Sequence, residues 1–261
     1  MRMPDDEMEV ELLFDYAQFA AHLTVDAILT LLQKATTTTD ASERKRLCTA
    51  GLQLLYTSFE DFAILLHAIL KRKNGTFLQL TLSGEGQQLG STTFPAKLKK
   101  PGPAKELFEE LGLTSITAET LQPLGYDVTD DTLNHCFSDF AESVKYLATS
   151  ADEYNQFKNR IKHGKGIFGI TFGLSGSDDV AHIEYQQDGT HWVKTTASLE
   201  QLQVATITVA KLAIRSLDLL SLFMAHYHPD RAPDFVYLVK DHGDAIGDQI
   251  KAAGLKTKGL G

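Results

Sequence analysis

The chain has 261 residues, with 25 Lys and Arg against 34 Asp and Glu, a formal net charge of −9 and 43% hydrophobic residues. That is the composition of an ordinary globular protein, long enough to bury a full core in one large or two small domains. An acidic balance excludes coating of nucleic acid by bulk charge, and two cysteines cannot build a disulfide framework.

The acidic N-terminus, Met1 to Glu11, lacks the apolar core of a signal peptide. From about Asp6 to Ala35 the residues Leu12, Tyr16, Phe19, Leu23, Ala27 and Leu31 recur at three- and four-residue steps. They predict one stripe of a long amphipathic helix. The tract Thr36 to Asp40 reads as a loop, because threonine is β-branched and a weak helix former. A second helix is expected from Asp40 or Ser42, with Leu47, Leu55, Phe59, Phe62, Leu66 and Ile69 inward. It ends at Lys71-Arg72-Lys73 before Asn74-Gly75. A short link between two long helices implies an antiparallel α-hairpin. Cys48 and Cys136 both fall on predicted helices and read as small core hydrophobes.

Residues 76–82 alternate loosely, as a short strand would, and 83–104 read as a glycine- and proline-punctuated loop. Short helices are expected at Pro103 to Leu111 and Ile116 to Leu124. Thr129-Asp130-Asp131 should cap a helix running to about Thr149, and another helix is expected from Asp152 to His163. Ile167–Phe172, Val180–Gln186 and His191–Thr195 then read as three strands, with Asp188-Gly189 as a hairpin signal. Ser198 opens a last long helix ending near His228-Pro229. Its inward residues are Leu199, Leu202, Ala205, Val209, Leu212, Leu220 and Phe223. Beyond Asp230 a short strand is expected at Phe235 to Leu238, then a Gly/Lys tail from Gly254.

The expected fold is therefore mainly α: a bundle of four to five principal helices with a small antiparallel β-meander insertion. One domain spans 1–229, with the insertion near 166–197, and 230–261 form a partly flexible extension. Charges interrupt every apolar stretch, so no membrane span is expected and the cytoplasm is the default compartment.

The chemistry concentrates at residues 154–165. Between Lys158 and Lys165 stand four Lys or Arg, one His and no acid, a local reversal of sign. On a helix Phe157 and Ile161 share one face, while Asn155, Asn159 and His163, also four apart, point away from it. Lys158 and Lys162 flank them. Histidine moves protons near neutral pH, cations hold phosphate oxygens, and an amide orients either partner. This inventory fits metal-independent RNA cleavage, with a base taking the 2′-hydroxyl proton. The alternative reading is a solvated helix end whose Lys and His complement the dipole.

The stretch Lys158-Asn159-Arg160-Ile161-Lys162-His163 resembles the HEPN family motif, in which an Arg and a polar residue precede a His by a few positions. The resemblance implies a small α-helical bundle that dimerises. Many HEPN proteins are metal-independent ribonucleases whose Arg and His from both protomers meet in an interfacial cleft. Others are inactive and bind nucleotides or partners. His163 would take the family's His role and Asn159 the polar role. The chain departs from the motif at the Arg position, where Lys158 stands without the planar fork that grips phosphate in two places. Arg160 points about 200° away from Lys158.

The catalytic candidates are thus His163, Asn159, Lys158 and Arg160, and the substrate-binding candidates are Lys162, Lys165 and Asn155. No metal or cofactor is called for. The expected partners are a second copy of the chain and RNA or a nucleotide, with no membrane. The alternative function is a non-catalytic dimeric binding or assembly module.

Weaker candidates are His226, His228 and Asp230 as metal ligands, His182 with His191 across a hairpin, and the basic run Lys97-Leu98-Lys99-Lys100 with Lys105. Trp192 with Tyr185 is a further candidate, as a binding platform. His22 and His67 read as structural residues within helices.

Overall fold

The structure, a computed structural model of the chain, describes residues 5–70, 117–124, 128–135, 138, 172–173, 179–186 and 189–255. These are mainly α-helical. In chain order they form α1 (Asp5–Asp15), a π-helical turn (Tyr16–Ala20), α2 (Ala21–Thr37), α3 (Ala41–Leu70) and α4 (Ala118–Leu121, continued by a 3-10 turn at Gln122–Leu124). Next come α5 (130–135), β1 (Phe172–Gly173), β2 (Asp179–Gln186), β3 (Gly189–Thr196), α6 (Leu199–Tyr227) and α7 (Ala232–Ala252).

The first expected helix exists but buries a different face. Its core stripe is Val10, Leu13, Ala17, Ala21, Val25, Ile28, Leu32 and Ala35, while Leu12, Phe19 and Leu23 are exposed. Two apolar stripes run along this segment. The one with more small residues is buried, which lets the neighbouring helices approach closely. The π-helical turn lies within it: the Ala21 N–H reaches the Tyr16 carbonyl, five residues back.

The threonine tract is helical for two residues longer than expected. Thr36 and Thr37 return their hydroxyls to the Leu32 and Gln33 carbonyls at 2.8 and 3.0 Å, so their side chains are satisfied within the helix. The link to α3 is then only residues 38–40. Asp40 Oδ1 accepts from the Ser42 N–H at 2.8 Å, an N-cap interaction. Arg44 donates to the Ala35 and Thr38 carbonyls, satisfying groups that the end of α2 leaves open. In α3 Cys48, Leu52, Phe59, Phe62, Leu65, Ala68 and Ile69 are buried, whereas Leu47 and Leu55 are half-buried.

A reciprocal capping box of Thr117 and Thr120 starts α4. Thr129 caps α5 by accepting from the Thr132 N–H at 3.1 Å, while Asp130 accepts from the Ala118 N–H and ties the two short helices together. Leu121 and Leu133 are buried.

The strands are antiparallel in the order β1-β2-β3. The register sets His182 opposite Val193 and His191 opposite Glu184, so the two histidines are not cross-strand partners. Trp192 likewise stands opposite Ile183, and Tyr185 opposite Thr190.

Helix α6 starts at its Ser198 cap and packs on α2, α3 and α7. It is buried on more than one face, with Leu202, Ala205, Val209, Leu212, Leu217, Leu219, Leu220, Phe223 and Met224 in the core. Its buried hydroxyls at Thr206, Ser216 and Ser221 return to carbonyls four residues earlier at 2.7–3.0 Å, which lets polar residues sit inside an apolar helix.

The strand expected at Phe235 to Leu238 is instead part of helix α7. Ala232, Phe235, Val239, Ile246 and Ile250 are buried at three-, four- and seven-residue steps, a helical period that overrides the local β-propensity of Phe-Val-Tyr. Gly254, with φ of 74°, closes α7 in the left-handed conformation that favours glycine, and the Leu255 N–H returns to the Ile250 carbonyl. Phe14 stacks edge-on against Phe235, with Arg231 over the Phe14 ring, so α1 rests on α7. The fully buried Glu9 meets His228, at the turn between α6 and α7, at 2.9 Å. Among the described residues no helix is long and apolar enough to cross a membrane.

Candidate functional site

The residues singled out in sequence, Asn155, Lys158, Asn159, Arg160, Lys162, His163 and Lys165, lie outside the described residues. So do Lys97 to Lys100, Lys105 and Cys136. Of the proposed metal ligands, His228 is engaged by Glu9, and His226 lies edge-on to Tyr227. Among the described residues no three His, Cys, Asp or Glu side chains form a group that could hold a metal ion.

Besides the Glu9–His228 pair, polar side chains gather in two places among the described residues. The first joins α2 to α7, where His22 Nε2 and His242 Nδ1 are 2.5 Å apart and share one proton position. One turn along α2, Asp26 accepts from the Gln249 amide at 3.0 Å. Burial holds the His22 imidazole below its ordinary pKa, and the neighbouring His242 adds to that; Asp26 opposes both.

The second is a cavity of about 60 Å³ beside the π-helical turn. Three stretches distant in sequence wall it: Tyr16, Ala20, Ala21 and Thr24; Ser58 and Asp61; and Val209, Leu212, Ala213 and Ser216. The extra residue of a π turn widens the helix locally, and such turns recur at functional sites. Alanines at 20, 21 and 213 leave the space that larger side chains would fill. Tyr16 is half-buried as a residue, but its phenol end is enclosed. Burial pushes the Tyr16 phenol above its ordinary pKa, a hydrogen bond with Ser216 pulls it down, and Asp61 raises it again, so at neutral pH it keeps its proton. Ser58 and Ser216 are themselves buried, and Asp61 is exposed.

Sequence reading missed this cavity. Its traces were single polar residues on otherwise apolar faces, Tyr16 in the first helix and Ser216 in the last, with Ser58 and Asp61 three apart in α3. Glu9 left a similar trace, an acid in a helical stripe that turns out to be inside. No family model, curated protein or solved structure matches the chain.

Proposed function

We propose that this chain is a HEPN-like helical module of the cytoplasm that works as a homodimer, and that its primary role is binding and assembly. The observation supporting this is the pair Phe19 and Leu23, 67% and 56% exposed and one helical turn apart on the first long helical run. Large apolar side chains that face water together are what a partner surface covers. We read the strands as a small meander inserted near 166–197 into a single helical bundle. Sedimentation of the full chain tests the reading. The wild type runs as a dimer, and the Phe19→Glu/Leu23→Glu variant runs as a monomer with its thermal unfolding little changed. A variant that remains dimeric overturns it.

A second reading, metal-independent RNA cleavage, rests on Lys158-Asn159-Arg160-Ile161-Lys162-His163, a cationic run in an acidic chain. Here His163 takes the 2′-hydroxyl proton and Asn159 orients the reacting groups. Lys158, Arg160, Lys162 and Lys165 meet phosphate, with Asn155 on the same stripe. RNA cleavage in EDTA by wild type but not by His163→Ala is the expected result. Equal activity in both, or none in either, removes it.

A further inference from the structure

Two helices far apart in sequence each bring one imidazole nitrogen to the same place. Nε2 of His22 on α2 and Nδ1 of His242 on α7 face each other at 2.5 Å, with the ring planes inclined at 64°. A hydrogen bond between two neutral rings uses one facing nitrogen as donor and the lone pair of the other as acceptor. A metal ion takes the lone pairs of both. Each ring then keeps its proton on the nitrogen away from the ion. The proton that lay between the rings moves to the far nitrogen of its own ring, so none is lost when both rings are neutral.

The surroundings suit such an ion. Two nitrogens bound to a tetrahedral zinc ion at about 2.0–2.1 Å stand about 3.3 Å apart, so the facing atoms need to part by about 0.8 Å. A small turn of either ring supplies that, since both histidines are only half-buried, which also gives the ion a way in. The exposed carboxylate of Asp26, one turn from His22, adds negative charge beside the pair. It also accepts from the Gln249 amide at 3.0 Å, a second tie between α2 and α7. Imidazole nitrogen suits zinc, nickel and copper, whereas magnesium and calcium take oxygen ligands. With two ligands from the protein, water fills the remaining positions. We propose that His22 and His242 together bind a divalent first-row transition-metal ion between α2 and α7.

The test is a titration of the full-length, 15N-labelled chain, stripped of metal with EDTA and desalted, with zinc chloride. Long-range 1H–15N spectra of the imidazoles report each ring separately, so binding at the chain's other histidines is not mistaken for binding here. His22 Nε2 and His242 Nδ1 are expected to shift together and saturably with zinc, and not with magnesium chloride. Loss of a partner in the outer shell of a metal site already costs about 10–100-fold in affinity, so loss of a ligand should cost at least about tenfold. His22→Gln should therefore weaken the zinc response of the His242 ring by that factor, and His242→Gln that of the His22 ring, with the helical circular dichroism of both variants unchanged. Two rings that zinc leaves unmoved overturn the proposal, since the pair is then a hydrogen bond only. A zinc response from one ring alone, or undiminished affinity at the remaining ring in either variant, also overturns it.

Discussion

At Gly51 α3 lies against Leu202 of α6. A Cβ added there would overlap the Cδ1 of Leu202, a side chain with no exposed surface. Alanine is the better helix former by about 1 kcal/mol, but overpacking a tight core costs about 1–3 kcal/mol. Gly51→Ala should therefore lower stability by about 1 kcal/mol on balance, measured by urea unfolding. Leu202→Ala should cost less in that background than in the wild type, because the two changes share one space. His22 offers a second residue-scale test. Its folded pKa is depressed, so below its ordinary pKa the unfolded chain binds more protons and stability falls with pH. The contribution is complete above about pH 6.5 and is lost as pH falls through the lower folded value. His242 faces His22 from α7 and Asp26 lies one turn along α2. His22→Gln should flatten the fall in urea midpoint between about pH 7 and 5, and an unchanged slope would refute the assignment.

At the scale of elements, α7 is the sharpest contrast with sequence reading. A strand would place Phe235 and Tyr237 on one face, whereas a helix separates them by about 200°. Phe235 is fully buried and Tyr237 is 71% exposed. Phe235→Ala should cost about 3–5 kcal/mol in urea unfolding, and Tyr237→Ala no more than about 0.5 kcal/mol. The existence of α2, α3 and α6 was legible, because apolar spacing and caps such as Asp40 and Ser198 are local signals. Which face of the first helix turns inward was not. Leu12, Phe19 and Leu23 outweigh Ala17 and Ala21 in any hydrophobic count, and only close packing rewards the alanines. The cavity was illegible for a related reason. Tyr16, Ser58 and Ser216 are single residues on three helices, and nothing in one helix announces the other two. The Lys158 to His163 cluster was the reverse, compact in sequence and conspicuous without any fold.

For the whole molecule, charge and exposed apolar surface set the expectations. Residues 1–150 hold 13 Lys and Arg against 21 Asp and Glu, and residues 151–261 hold 12 against 13. The acidity belongs to the first part of the chain, although that part also holds the basic runs Lys71-Arg72-Lys73 and Lys97-Leu98-Lys99-Lys100. Phe19 and Leu23 stand outside the buried core cluster that α1 to α7 build. Their exposure is what a self-associating bundle would show. The mass of the full chain in solution over a concentration series, by analytical ultracentrifugation, tests this most directly. A species of twice the 28.8 kDa chain mass that dissociates on dilution or on Phe19→Glu/Leu23→Glu substitution is the predicted result. A wild type that stays at 28.8 kDa at every concentration would contradict it.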